Sequence, residues 1–407
     1  MKLYAQQGHA EGEKIRDGLK QGLIDGVILS PKDISDATLD QKLSEYPTLS
    51  KNPDLLFDPQ FYACFLPGTQ DVRLGKLEEC YSDYFGTRRR SQLEREKNVV
   101  ADLKHVLEFQ VKKKPLTAII APNVLVKRSL DSREAAISGQ FIRLAKETYE
   151  KLNDKRPLYA TLAVSREAVL NKAELLEFMN ELTVLDPRPD GFYLLMAGRD
   201  SEVRTEIMNA DVIAAWMYIN YTLKLNGYRV INGYSDVLTP FLGAVGGIAG
   251  ATGWWSNLRT FSLNRFEPAS GGGRLPIQRY LSTVLINRIT FYELGQLQAL
   301  GKTNSRVPKV LNGLPTDASY PEASNYEPQR SAEVLQTWDA LKHLNNKFND
   351  KDIEKAIGKC MGALKQAEDA YAQITIPLDI KSNADHLEAL REGIREFMKM
   401  AEMSPVQ

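Results

Sequence analysis

Two aspartates stand at or just beyond short apolar runs: Asp58 closes DLLFD (54–58), and Asp236 follows YRVING (228–233). Carboxylates that a fold gathers at one pocket can act as acid, base or nucleophile, or attack a glycosidic centre from opposite sides. His9 follows KLYAQ (2–6) and Lys32 follows GVILS (26–30), where each would shuttle a proton or supply positive charge. One lysine at such a position is also what Schiff-base chemistry would need. Equivalent positions behind the other runs supply Gln7, Gln60, Asn123, Arg166, Arg199, Thr252, Trp255, Asn257, Arg259 and Arg265, which are expected to contact the ligand. Other chemistries lack their residues. No GxSxG elbow accompanies a serine nucleophile, and neither a P-loop nor a GxGxxG follows the first run. Four histidines and three scattered cysteines, Cys64, Cys80 and Cys360, are a poor supply of metal ligands. No protein-held metal or cofactor is expected; Mg²⁺ would arrive only with a phosphate ligand.

Two segments suit an anion. The first runs through Gly243, Gly246, Gly247 and Gly250 to Thr252, where bare backbone could approach a phosphate. The same small residues would equally let a helix lie close to its neighbour. The second, WWSNLRTFSLNRFEPASGGGRLP (254–276), interleaves Arg259, Arg265 and Arg274 with Trp255, Phe261 and Phe266. Arginine forks bind phosphate and aromatic faces stack on bases, although protein interfaces favour the same residue types. A third basic stretch, 87–114, carries nine Lys or Arg against four Asp or Glu. It could follow a phosphate backbone or form a solvated helix whose last lysines complement its dipole.

The elements that would position these groups are eight apolar runs: 2–6, 26–30, 54–58, 117–122, 158–164, 191–196, 228–233 and 250–255. Near-continuous hydrophobicity is required of strands covered on both faces, as in a parallel sheet. Segments of helical periodicity separate them, notably 11–23, 131–152, 166–182 and 201–225. Eight such units in about 300 residues predict a (β/α)8 TIM-type barrel, with an open sheet of six or seven strands as the alternative. Functional groups of such a barrel gather at the carboxyl ends of its strands, where most of the candidates stand; Thr252 lies within the eighth run, Arg265 on the long loop beyond it, and Gly246 and Gly247 on the segment leading into it. The glycine segment then resembles the phosphate-binding half of many TIM barrels.

The excursion between the third and fourth runs is far longer than an ordinary connection, and helices are expected at 71–85 and 89–111. The barrel is expected to occupy 1–301 with an insertion at about 68–114. A Pro-, Ser- and Asn-rich arm would follow at 302–329, then a helical unit at 330–407 with helices at 331–348, 351–374 and 383–403.

Lys plus Arg and Asp plus Glu both total 52, so no global charge draws the chain to nucleic acid or membrane. Without a long apolar run or a leader pattern, a cytoplasmic location and no membrane partner are expected. In layout the chain is similar to tRNA-guanine transglycosylases, TIM barrels that use aspartates on a nucleic-acid base, but without the cysteine-rich zinc site which that family carries after its barrel. The resemblance implies glycosyl or base transfer. The expected function is a metal-independent barrel enzyme acting on a nucleotide, nucleoside or nucleic-acid end. The competing expectation is a non-catalytic barrel subunit of an assembly, docking through insertion, arm or tail.

Overall fold

The computed structural model describes residues 1–66, 73–198, 208–266, 276–320 and 327–404. The apolar runs become β1 (Lys2–Gln6), β2 (Gly26–Leu29), β3 (Asp54–Phe57), β4 (Ile119–Ala121), β5 (Leu125–Val126), β6 (Leu158–Ser165), β7 (Gly191–Ala197), β8 (Arg229–Gly233) and β9 (Ala249–Thr252). Eight of them lie in the order β3-β2-β1-β9-β8-β7-β6-β4, with β5 pairing with β6 as a short continuation. All pairs are parallel. Across the remaining seam, the Thr117 amide donates to the Leu55 carbonyl at 2.9 Å, and the Leu55 amide donates to Thr117 Oγ1 at 3.0 Å. The sheet is therefore a nearly closed TIM-type barrel. The eighth strand ends earlier than expected, at Thr252, and the chain bends at Trp254 and Trp255.

Connections run outside the wall through α1 (Lys14–Lys20), α2 (Asp36–Glu45), α3 (Lys76–Cys80), α4 (Arg90–Leu93), α5 (Glu96–Lys112), α6 (Arg133–Glu150), α7 (Lys172–Thr183), α8 (Ala210–Leu225) and α9 (Thr239–Ala244). Ser35, Ser132, Asn171 and Asn209 start four of these helices by accepting amide hydrogens in their first turns. The long excursion after β3 carries α3, α4 and α5. The helix expected at 71–85 is reduced to α3, with Asp71 outside the described residues.

The chain after β9 departs from the expected plan. It forms α10 (Ser256–Arg259), an antiparallel hairpin of β10 (Arg279–Ser282) and β11 (Asn287–Thr290), and α11 (Phe291–Thr303). Then come α12 (Arg330–Phe348), α13 (Ile353–Tyr371) and α14 (Asp385–Met400). α12 packs against α9, α1 and β1, the place of the helix that closes an eight-unit barrel. Its Trp338, fully buried, lies over Gly18 of α1, where an added Cβ would come within 2.7 Å of the indole. α12 thus lies where an eighth barrel helix would, with the hairpin and α11 between it and β9 in the chain. Among the described residues α13 and α14 follow it, and α14 seals α8, with Phe397 edge-on to Tyr221 at 5.7 Å. Among the described residues no helix is long and apolar enough to cross a membrane.

Strand register fixes what fills the barrel. Tyr4, Leu56, Tyr159 and Ile231 line a small cavity at the amino end of the lumen. By the two-residue alternation of strands, Gln6 on β1, Asp58 beyond β3 and Tyr193 on β7 face the same lumen, Tyr193 being in register with Ile231.

Candidate active site

Asp58 lies at the carboxyl mouth of the lumen and is 1% exposed. Its Oδ1 accepts the Gln60 amide at 3.0 Å, and its Oδ2 accepts the hydroxyls of Tyr62 at 2.8 Å and Tyr193 at 3.3 Å. Burial pushes this carboxyl up to about 6, against the lowering by those donors and by the charge of Arg265. Arg265 reaches in from the chain beyond β9. It donates to the hydroxyl of Tyr234, to Ser30 Oγ at 3.2 Å and to Asp33 at 3.1 Å. Phe261 lies between the tyrosines, 4.8 Å from the Tyr62 ring and 5.4 Å from that of Tyr234. Its strand-like pairing with Ala197 pins the chain after β9 across the mouth.

Asp236 sits in a second buried group. Arg288, on the hairpin, grips both its oxygens at 2.7 and 2.8 Å, while Thr252 Oγ1 donates at 2.7 Å. Burial raises this carboxyl, but Arg288 and Thr252 outweigh it and hold the group below the usual carboxylate range. Arg259 faces the charges of both, and burial, then Arg288, lower its guanidinium to about 10. Its Nη2 donates to the Trp254 carbonyl at 3.1 Å, whereas its buried Nε has no partner. An arginine beside a like charge, with a donor unused, is suited to an anion.

Backbone strain gathers at the same end of the barrel. Gln60, Tyr234 and Asp236 have φ of 53°, 53° and 39°, a region costly for residues other than glycine and enriched at functional sites.

The other expected residues divide. Lys32 lies near Arg265, its ammonium lowered by burial and placed 5.9 Å from the Phe266 ring. His9 is exposed, and its carbonyl accepts the indole N–H groups of Trp254 and Trp255 at 2.8 and 3.2 Å. Gln7 and Gln60 brace the mouth: Gln7 accepts the Ser30 amide, and Gln60 accepts that of Lys32 while donating to Ser30 Oγ. Asn123 is spent on the wall, donating to Ser138 Oγ and the Thr161 carbonyl. Arg166 has buried Nε and Nη1 without hydrogen-bond partners, and Asn257 an unpartnered Oδ1. Arg199 and Arg274 lie outside the described residues.

Gly246 and Gly247 are not with this group. They precede β9, at the end of the barrel opposite Thr252 and Arg259. A Cβ on Gly247 would strike Asn232, Asn220 and the Leu242 carbonyl, and one on Gly246 would strike Lys224. Close packing accounts for both. In the basic stretch at 87–114, Arg88 pairs with Asp102, Arg90 with Glu134, and Lys113 with Asp36 and Asp40.

Sequence reasoning missed Tyr193 and Arg288. Tyr193 is hidden in the uniformly apolar GFYLLM, where alternation with Tyr159 as its inward counterpart was the available signal. Arg288 lies on a hairpin whose RYLS and NRIT strands are too short and mixed to stand out. Among the described residues, no three His, Cys, Asp or Glu side chains cluster as metal ligands would.

Fold and site together define an α/β protein with a TIM-type barrel and a polar, carboxylate-bearing mouth. Comparison with models of protein families finds no match, and comparison with curated proteins finds no similar sequence.

Proposed function

We propose that the chain is a cytoplasmic, metal-independent barrel enzyme acting on a phosphate-bearing ligand, a nucleotide or nucleic-acid end, or on the corresponding nucleoside. The observation that carries this reading is the opposite tuning of two buried carboxylates at one mouth, Asp58 pushed up to about 6 and Asp236 held down. Carboxyls with pKa values driven apart divide acid from anion roles. Asp58 gives and takes the proton near neutral pH. Asp236 stays ionised and, with Arg288, fixes the field opposite. Arg259 takes the phosphate, Arg265 orients Tyr234, and Lys32 supplies further positive charge. Glycosyl or base transfer is the narrower form of this reading, with Asp58 protonating the leaving group.

The test uses the compound that the purified full-length protein releases on denaturation, identified by mass spectrometry and returned as substrate. Turnover should fall at least 100-fold in Asp58→Asn with the far-ultraviolet spectrum retained, in line with loss of a general acid.

One observation favours a second reading. Tyr62, Tyr193, Tyr234 and Phe261 close the mouth with at most 2% exposure each, as in a barrel that serves as a non-catalytic subunit. Asp58→Asn with full biological activity would establish that reading instead.

A further inference from the structure

We infer that Gln6 reads the amide-like edge of the ligand, an N–H donor beside a C=O acceptor, within this mouth; the inference rests on the ligand-binding reading above and narrows the ligand's class. Gln6 ends β1 and is 0% exposed, with both Nε2 and Oε1 buried and unpartnered. Its neighbours show that this is not general slackness. Gln7 uses both ends of its amide, on the Ser30 amide and the Gly8 carbonyl, and Gln60 likewise uses both ends. An unpaired buried amide is costly, and leucine or methionine would fill the place without that cost. What a glutamine offers there is a planar pair, donor beside acceptor. Its complement is the lactam edge of a nucleobase or a primary carboxamide.

Leu258 packs against the chain just beyond Gln6. Leu258, on the four-residue α10, occupies space left by the missing side chains of Gly8 and Gly253; a Cβ at either would lie 2.6 Å from it. The Gly253 position also lies 2.7 Å from the Gln6 carbonyl. Leu258 is followed by Arg259, whose Nε is unused. A ligand that reaches both residues would place its amide edge at Gln6 and its phosphate at Arg259.

Calorimetric titration of the full-length protein tests this with uracil, nicotinamide and 1,3-dimethyluracil, and separately with inorganic pyrophosphate. Uracil or nicotinamide should bind, the responding probe identifying a lactam or a primary carboxamide, with dimethyluracil at least tenfold weaker. Gln6→Leu should weaken the responding probe at least tenfold while keeping or raising the melting temperature. Binding of neither probe, unchanged binding by Gln6→Leu, or a lowered melting temperature in that variant overturns the inference. Pyrophosphate binding that Arg259→Met abolishes would leave the anion reading standing even then. Loss of amide-probe binding in Gln6→Leu, with pyrophosphate ignored, would sustain the inference and remove the anion site.

Discussion

Asp58 and Asp236 are the same side chain in opposite surroundings, and pH separates them. Asp58 is raised to about 6 in the folded chain, so the folded state binds its proton more readily than the unfolded state does. Its contribution to stability is full below about pH 4 and is lost as pH rises through about 6, a change of about 3 kcal/mol. Denaturant titrations between pH 4 and 7 should show this decline in the wild type and a flatter profile in Asp58→Asn. Asp236 has the reverse sign. Its lowered carboxyl stabilises the fold above the ordinary aspartate range, and that contribution fades as acid protonates it. Arg288→Met leaves the buried carboxylate without its bidentate partner and should cost about 3–5 kcal/mol at neutral pH, read as a lower denaturant midpoint.

Among the elements, α12 carries the clearest consequence. Because Trp338 packs into the space above Gly18, α12 is docked on the barrel, and Trp338→Ala should destabilise the whole barrel by about 3–5 kcal/mol in a single unfolding transition. A separate low-temperature transition of the tail, with the barrel intact, would contradict that assignment. The eight strands were legible in the sequence because strands buried on both faces require unbroken runs such as GVILS and LYATLAV. Asp58 and Asp236 were legible because they stand directly behind such runs. The membership of α12 was not legible, since its periodicity shows an apolar face without saying which helices it meets. The end of the barrel to which Gly246 and Gly247 belong was legible, since both precede the run at 250–255; what the sequence did not show is that their small size serves packing. The hairpin that delivers Arg288 escaped because each of its strands has only four residues.

For the molecule as a whole, 52 basic and 52 acidic residues leave no net field, yet arginines concentrate at the mouth. Arg259, Arg265 and Arg288 all arrive on the chain after β9; Arg265 is paired with Asp33 and Arg288 with Asp236, which leaves Arg259, with its unused Nε, to meet an anion, while Arg88, Arg90 and Lys113 on the excursion after β3 are paired with acids. An anion is therefore expected at the mouth, and full charge reversal at Arg90 should leave ligand affinity within about twofold, as for an exposed surface pair. Whether the proposed phosphate-bearing ligand occupies this mouth is read by mass spectrometry of the small molecules or nucleic acid released from purified wild-type protein and from Arg259→Met. The wild type should release a phosphorus-containing compound that is lost from the variant. A wild-type chain that releases none, and whose melting temperature no nucleotide or nucleoside raises, would contradict it.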